Sequence, residues 1–266
     1  MHLLYIIISS IIQSLTEFIP VSSSGHLVIW HSVWSAPLNS LQLDIVLHLG
    51  SLLALIVYFR KDIIRLFIAW LYTWRKQWTA TGKLAWWLIL STVPAAMVGV
   101  LAGQWVTDNL RSDSTVIAML IIVALLFLLT EKIAQGKRDL QQLNWRDALL
   151  IGIAQCLAFV PGTSRSGITI VAAMLLKIKR AEAARYSFLL AIPTLLGASL
   201  SGVSMMVDQG IDRASMIMAG IGLVITFVLS WGVIRFFLRY LRQHSLVPFA
   251  LYRIVLALVL WLILYY

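Results

Sequence analysis

Six largely apolar stretches, each long enough to cross a lipid bilayer, constrain this chain more than any other feature of its sequence. A transmembrane helix needs about 20 predominantly apolar residues. Because a single segment in lipid can satisfy its backbone hydrogen bonds only as a helix, each stretch is predicted to be an α-helix. The predicted spans are residues 43–59, 85–106, 115–130, 186–207, 215–238 and 246–266.

The composition supports an integral membrane protein, since 61% of the 266 residues are hydrophobic and only 12% are charged. Soluble domains are about 45–50% apolar and about 25% charged. The net charge of +10 does not indicate nucleic-acid binding, because the basic residues flank apolar stretches. The single cysteine, Cys156, excludes an internal disulfide and a cysteine-rich metal site. No basic segment or cleavage site precedes the first polar cluster, so no removable signal peptide is predicted.

Two further apolar stretches, residues 3–34 and 148–176, are broken by "IPVSSSGH" and "VPGTSRSG". Each half has about 10–15 residues and is too short to cross the bilayer alone. This pattern predicts a re-entrant helix–loop–helix, which membranes tolerate only where protein or water covers the bare backbone. Residues 62–78 are predicted to form an amphipathic helix at the interface. The predicted fold class is an all-α polytopic membrane protein, with about six transmembrane helices and two re-entrant hairpins.

The basic residues predict the orientation of the chain, because four segments hold 17 of the 21 lysines and arginines. These basic segments are residues 60–84, 131–146, 177–185 and 235–242. The positive-inside rule places all four in the cytoplasm, so both termini face outward. The two hairpins then enter from opposite faces, which predicts an inverted repeat with halves 1–134 and 145–266 in a single transmembrane domain, residues 1–266. Their loops would meet near the midplane.

The two broken stretches also share a weak sequence repeat, "QSLTEFIPVSSSGH" at 13–26 and "QCLAFVPGTSRSGIT" at 155–169. The polar residues of the first loop are Glu17, Ser22, Ser23, Ser24, Gly25 and His26. Those of the second loop are Gly162, Thr163, Ser164, Arg165, Ser166, Gly167 and Thr169. Glycine lets backbone N–H groups approach a ligand, helix N-termini bind anions, and arginine offers a fork to phosphate oxygens. An anionic, phosphate-like ligand fits this set best.

Individual residues keep alternative interpretations. Ionisable side chains are costly in a bilayer, so Glu17 and Arg165 are functional candidates; a structural pair between them, or a capping role for Glu17, is the alternative. His26 suits a base, an acid or a nucleophile, and the alternative is a hydrogen-bonded core histidine. His31 and His48 have no evident partner and are expected to be structural. Serines also pack and cap helices in membranes, so spacing does not identify a chemical one.

The motifs "LTEFIPVSSSGH" and "PGTSRSGIT", with "YSFLLAIPTLLGA" (186–198) and "VPFALYRIVLA" (247–257), resemble those of bacterial undecaprenyl-diphosphate phosphatases, the bacitracin-resistance membrane phosphatases. The resemblance runs along nearly the whole chain. It implies hydrolysis of undecaprenyl diphosphate to undecaprenyl phosphate and inorganic phosphate, which recycles the lipid carrier for peptidoglycan synthesis. It also implies a multi-pass protein of the bacterial inner membrane, in contact with membrane lipids and with a site open to the periplasm.

The resemblance assigns roles to residues of both loops. Arg165 and the loop N–H groups are expected to hold the diphosphate and stabilise charge in the transition state. Ser23 attacks the terminal phosphorus or orients a water, and His26 takes and returns the proton; His26 as the nucleophile is the alternative. Glu17 positions a divalent cation or polarises His26. The expected substrate-binding residues are Ser22, Ser24, Gly25, Gly162, Thr163, Ser164, Ser166, Gly167 and Thr169.

One departure from the family bears on the metal. The family usually has a second glutamate four residues before Glu17, where this chain has Gln13. A pair of glutamates would suit a divalent cation such as magnesium or calcium. Two alternatives stay open: a weaker metal requirement, or a cation held by Glu17 and the substrate phosphates. Ser24 stands where threonine is common, which keeps the hydroxyl.

Two other classes of function compete with a phosphatase. Inverted repeats with broken helices are typical of transporters, and a flippase of undecaprenyl phosphate is the sharpest form of that alternative. A membrane scaffold without enzymatic activity gives no reason for Glu17, His26 and Arg165 at membrane depth. The sequence leaves open whether the protein forms a homodimer.

Overall fold

The computed structural model describes residues 2–34, 40–110, 112–134, 136–209 and 213–265. Regular structure in these ranges is helical, apart from one isolated bridge between Arg138 and Ile178, so the predicted all-helical class is confirmed. The helices are α1 (His2–Phe18), α2 (Ser23–Val33), α3 (Ser40–Tyr58), α4 (Arg60–Trp74), α5 (Ala80–Leu110), α6 (Asp113–Ile133), α7 (Trp145–Cys156), α8 (Arg165–Leu175), α9 (Arg180–Gln209), α10 (Arg213–Tyr240) and α11 (Val247–Tyr265). Leu140–Gln142 and Leu157–Phe159 form single 3-10 turns.

Five of the described helices, α5, α6, α9, α10 and α11, are long and apolar enough to cross a membrane. Helices α3 and α4 meet at a bend of 71° and count as a sixth span when taken as one bent pair. The predicted span over residues 43–59 therefore corresponds to α3, which is one arm of a bent pair. The chain is a multi-pass membrane protein. The interfacial position of α4 stays a prediction.

Both predicted breaks are present in the structure. Helix α1 ends at Phe18 and α2 begins at Ser23, while α7 and its 3-10 turn are separated from α8 by residues 160–164. Pro20 and Pro161 lie in these two gaps. Proline has no N–H for the helical ladder, which accounts for the interruption at the same place in both segments.

The broken segments are held in the bundle by close contacts between small residues. Helix α1 packs on α10, where Ser10 and Ser14 each donate to a backbone carbonyl of α10 at 3.3 Å. Helix α7 packs on α5, where an added Cβ at Gly152 would lie 2.6 Å from the Ser91 carbonyl oxygen. Small residues allow helix backbones to approach in this way in membrane proteins.

A cluster of aromatic rings packs next to the first break, at the end of α1. The rings of Phe18 and Phe188 meet edge to face at 5.4 Å, and Phe188 lies 6.0 Å from Phe237. All three side chains are fully buried. An aromatic pair of this kind contributes about 0.5–1.5 kcal/mol beyond its burial. The end of α1, where Glu17 precedes Phe18, is thereby fixed against α9.

The four basic segments meet at one end of the bundle. Arg185 pairs with Asp62 at 2.6 Å, which joins the third segment to the first. Arg180 donates twice to Glu131, at 2.8 and 2.5 Å, which joins the third segment to the second. Glu131 also accepts the backbone N–H of Leu246, just beyond the fourth segment, at 2.7 Å. These contacts place the basic segments together, as a common side of the membrane requires.

Candidate active site

The two loops meet through an ion pair. Nη2 of Arg165, at the start of α8, donates to Oε1 of Glu17, near the end of α1, at 2.9 Å. The two side chains are only 13% and 6% exposed. Removing one partner would leave the other charge buried and unpaired, which is costly, so this contact ties the loops together.

Glu17 is the centre of the site because three further groups approach its second carboxylate oxygen, Oε2. The hydroxyl of Ser23 donates to Oε2 at 2.8 Å, and Nε2 of Gln13 donates to it at 3.3 Å. Nε2 of His48 lies 3.7 Å from the same oxygen. Hydrogen bonds to an ionised carboxylate are stronger than neutral ones. One carboxylate therefore gathers side chains from α1, α2, α3 and α8.

Each loop ends on a serine in the same unusual conformation. Ser22 and Ser164 cap α2 and α8 with φ of 77° and 70°, and both hydroxyls accept an N–H from three residues on, Gly25 at 3.4 Å and Gly167 at 3.2 Å. A non-glycine residue at positive φ costs about 1–3 kcal/mol, and such strain concentrates at functional sites. The matched caps start both helices at the meeting point, with their N-termini directed at the site.

Arg253 on α11 connects both loops through hydrogen bonds to their backbone carbonyls. Its guanidinium is fully buried and donates to the carbonyls of Pro20 at 3.3 Å and Gly162 at 2.8 Å, one from each loop. It also donates to the carbonyls of Leu120 at 3.2 Å and Met119 at 3.0 Å on α6. The sequence reasoning missed this residue, although a lone arginine inside a predicted span was a signal for it.

Gly162 has no room for a side chain. Its φ is +90°, and an added Cβ would lie 2.6 Å from the carbonyl oxygen of Val116. The glycine therefore lets the second loop press against α6 and turn its own carbonyl toward Arg253. Its location supports a structural role in addition to the predicted binding role.

The predicted site residues divide by their exposure. Ser24 is exposed, while Ser23, His26 and Arg165 are partly exposed. The buried members of the predicted set are Glu17, Ser22, Gly25, Gly162, Thr163, Ser164, Ser166, Gly167 and Thr169. A ligand approaching the loops would therefore first contact Ser23, Ser24, His26 and Arg165. The buried residues shape the loops behind them; the Thr169 hydroxyl, for example, contacts the Ser187 hydroxyl at 2.7 Å.

Both ring nitrogens of His26 are occupied. Nδ1 lies 2.8 Å from the carbonyl oxygen of Ser22, and Nε2 lies 2.6 Å from the hydroxyl of Tyr252 on α11. The rings of His26 and Tyr252 are stacked at 5.7 Å, with an angle of 5° between their planes. Neither nitrogen is bonded to Ser23, whose hydroxyl donates to Glu17. Tyr252 was not predicted as a site residue, although it lies in the quoted motif "VPFALYRIVLA".

The two other histidines near the site differ. His31 bonds to the Tyr5 hydroxyl and, at 3.1 Å, to the Asp44 carboxylate, so its expected structural role agrees with its partners. His48 was expected to be structural as well, but its approach to Glu17 puts it within the site. Sequence spacing along α3 could not reveal this, because the partner lies on α1.

The described residues do not supply a cation site of their own. They contain no cluster of three histidine, cysteine or acidic side chains. Glu17 is already paired with Arg165, and Gln13 gives Glu17 its amide hydrogens, which leaves the Gln13 carbonyl oxygen buried without a partner. A divalent cation needs several oxygen ligands. The predicted ligand Glu17, with Gln13 beside it, therefore does not fit a metal bound by protein groups alone.

A half-open cavity of about 360 Å³ lies away from this site, at the basic end of the bundle. Asp62, Arg65, Glu182 and Arg185 are among its lining residues, which come from α4 and α9. It contains no residue of either loop. The chemistry of the loops, and not the size of a cavity, identifies the candidate site.

Comparisons with known proteins cover nearly the whole chain. Residues 6–259 match the family described as "Bacitracin resistance protein BacA". The chain is similar to an undecaprenyl-diphosphatase of Hahella chejuensis, with 41% identity over 266 residues, 97% of this chain and 98% of that protein. It is also similar to an undecaprenyl-diphosphatase of Alteromonas mediterranea, with 38% identity over 267 residues, 99% of each chain. Both loops lie within the matched range.

Proposed function

Because this chain belongs to the bacitracin resistance protein BacA family, we propose that it hydrolyses undecaprenyl diphosphate to undecaprenyl phosphate and inorganic phosphate. The relatives named undecaprenyl-diphosphatase support the substrate, a polyprenyl diphosphate lipid. The observation that carries the proposal is the contact between Arg165 and Glu17, which joins both loops and brings their polar side chains together. Hydrolysis returns the lipid carrier to cell-wall synthesis and gives bacitracin resistance.

Arg165 is the proposed anchor of the diphosphate. One of its amino groups, Nη2, is held by Glu17, while the other makes only a long bond of 3.4 Å to the Ser187 carbonyl. The second group is therefore the one that turns to a phosphate oxygen at least cost. The positive ends of α2 and α8 add to the attraction. These preset charges would stabilise the transition state, where negative charge is spread over the transferred phosphoryl group.

Ser23 is the proposed nucleophile. Its Oγ forms a bond to the terminal phosphorus, and the bridging P–O bond breaks with its electron pair on the departing undecaprenyl phosphate. The Ser23 proton passes to Glu17, since Oγ already donates to this carboxylate at 2.8 Å. This geometry favours Glu17 over His26 as the first proton acceptor. The Glu17 proton is then the one that hydrolysis of the anhydride releases.

His26 acts in the second step of this scheme. Water attacks the phosphorus of the Ser23 phosphate, and its proton moves to His26 as the new P–O bond forms. The same proton returns to Oγ of Ser23 when inorganic phosphate leaves. Ser23 and His26 are three residues apart in α2 and so lie on the same face of the helix. The variant in which His26 itself attacks phosphorus ranks second, because both its nitrogens already have partners.

The finer architecture belongs to the proposal as well. Two re-entrant hairpins related by an inverted repeat, with halves 1–134 and 145–266, are supported by the matched caps Ser22 and Ser164. The packing of α1 on α10 and of α7 on α5 supports the same relation. The basic segments at one end support a cytoplasmic side there, with the site open to the periplasm and both termini periplasmic.

A flippase of undecaprenyl phosphate is the second candidate, because two matched broken segments meeting in the bundle are also a transporter arrangement. The two functions are separated by the products. Purified protein in detergent, incubated with undecaprenyl diphosphate, is expected to yield undecaprenyl phosphate and inorganic phosphate in equal amounts. Movement of undecaprenyl phosphate between the two leaflets of a vesicle membrane, without release of inorganic phosphate, would favour the flippase.

A further inference from the structure

The hydrogen bonds of His26 determine which of its nitrogens can take a proton. A backbone carbonyl oxygen only accepts, so Nδ1, 2.8 Å from the Ser22 carbonyl, carries the ring hydrogen. In the neutral imidazole, Nε2 then has the lone pair, and it accepts from the hydroxyl of Tyr252 at 2.6 Å. Nε2 is therefore the only ring nitrogen able to act as a base.

Tyr252 is well placed to fix this arrangement. It follows Leu251 on α11 and precedes Arg253, whose guanidinium is buried against both loops. Tyr252 itself is 45% exposed and stacks its ring on His26. Arg253 thus anchors the loops, and its neighbour Tyr252 covers one face of the His26 imidazole.

We infer that Tyr252 is a positioning residue of the proposed reaction: while the Ser22 carbonyl fixes the Nδ1–H tautomer, the hydroxyl and ring of Tyr252 hold the His26 imidazole with Nε2 facing the incoming water. The inference rests on the proposed function only for its kinetic consequence. When water takes the place of the hydroxyl at Nε2, the stacked ring still keeps the imidazole in orientation. The proton that water loses then enters at Nε2 and returns to Ser23 from there.

The first test needs no turnover. Protein with 15N-labelled histidine is examined by NMR in detergent, with His26→Gln used to assign the His26 signals. The expected spectrum has the hydrogen on Nδ1 and an unprotonated Nε2. Tyr252→Phe keeps the ring but removes the hydroxyl that donates to Nε2, so the Nε2 shift should move while Nδ1, still bonded to the Ser22 carbonyl, keeps its hydrogen. A hydrogen on Nε2 in the parent protein, or an unchanged spectrum in the variant, overturns the inference.

The second test measures kcat and KM separately. Because the diphosphate is held by Arg165, Tyr252→Phe should lower kcat by about 10-fold or more and change KM by less than about 3-fold. Tyr240 is the matched control, since it stacks on His244 at 4.5 Å at the basic end with no hydroxyl contact to that ring. Tyr240→Phe should leave kcat unchanged.

The outcomes separate the two proposals. An unchanged kcat in Tyr252→Phe overturns the positioning role even if the spectrum changes. A loss of activity with an unchanged spectrum does the same, because it points to a role other than the hydrogen bond to Nε2. Absence of phosphate release from the parent protein contradicts the proposed function, while the NMR comparison still decides whether Tyr252 sets the state of His26.

Discussion

Arg165 and Glu17 are 148 positions apart in the sequence and 2.9 Å apart in the structure. Each lies beside a break in an apolar segment, so their contact exists only if both breaks reach the same depth in the bundle. The pair also occupies one oxygen of the Glu17 carboxylate. The chemistry proposed for Ser23 and the support given by Arg253 both depend on this meeting of the loops.

Ser23→Ala should reduce phosphate release by about 10³-fold or more, because it removes the proposed nucleophile. Ser24→Ala should lose far less, since the exposed Ser24 hydroxyl contacts only that of Ser22, at 3.3 Å. The measurement is the initial rate of phosphate release at saturating undecaprenyl diphosphate.

The intermediate gives a second readout for Ser23. Rapid quenching with substrate labelled in its terminal phosphate should trap an acid-stable phosphoserine at residue 23. An acid-labile phosphohistidine at His26 would instead establish the alternative nucleophile.

Arg253→Lys should destabilise the protein by about 3–5 kcal/mol, although the charge is kept. Lysine has no planar fork to reach carbonyls on both loops and α6, so several buried acceptors lose their partners. Thermal unfolding in detergent measures the effect. Arg235→Lys is the control, because Arg235 on α10 only lies over the Trp231 ring at 5.9 Å. Equal unfolding temperatures for the two variants would contradict the bracing role of Arg253.

Gly162→Ala should also destabilise the folded protein, by about 1–3 kcal/mol for the positive φ alone. The close approach to the Val116 carbonyl adds to this cost, since backbone cannot move aside as a flexible side chain can. Gly232→Ala on α10 is the opposite case, with nothing within 4 Å of the added Cβ. Alanine inside a helix is favoured over glycine by about 0.5–1 kcal/mol, so this control should be neutral or stabilising. Denaturation of both variants side by side checks the sign of each change.

Gln13→Glu should create cation binding that we do not expect in the parent protein. The present site offers one carboxylate already paired with Arg165, whereas a second acid four residues earlier would face it on the same side of α1. Calorimetric titration with calcium or magnesium, in the absence of diphosphate, should give no heat of binding for the parent chain and a measurable one for the variant. Binding by the parent chain alone would show that Glu17 and Gln13 suffice.

The sequence predicts the helices well because lipid gives a long apolar segment no alternative. Breaks at "IPVSSSGH" and "VPGTSRSG" were also predictable, since each combines a proline with serines and a glycine, whereas the single prolines Pro94 and Pro193 lie inside continuous helices. The bend between α3 and α4 was less predictable. Residues 43–59 were predicted as a full span, but the helix axis bends by 71° after Tyr58. Local hydropathy does not encode that angle.

Partners across helices could not be predicted from spacing. The contacts of His48 with Glu17, and of Tyr252 with His26, depend on how α3 and α11 rotate about their own axes. The same holds for Ser22 and Ser164, whose positive φ values are set by the loops around them. Sequence analysis named most of the side chains that surround the ion pair, but only the packing of the bundle determines which of them touch.

The most direct test of the account is phosphate release from undecaprenyl diphosphate by purified protein, compared with Arg165→Ala and with Arg235→Ala. Arg235 matches the charge and lies on α10, where its guanidinium is 5.9 Å from the Trp231 ring centroid. We expect release by the parent protein and by Arg235→Ala, and a loss of at least about 100-fold in Arg165→Ala, which removes both the diphosphate anchor and the partner of Glu17. A folded Arg165→Ala protein that releases phosphate at the parent rate would contradict a site built where the two loops meet.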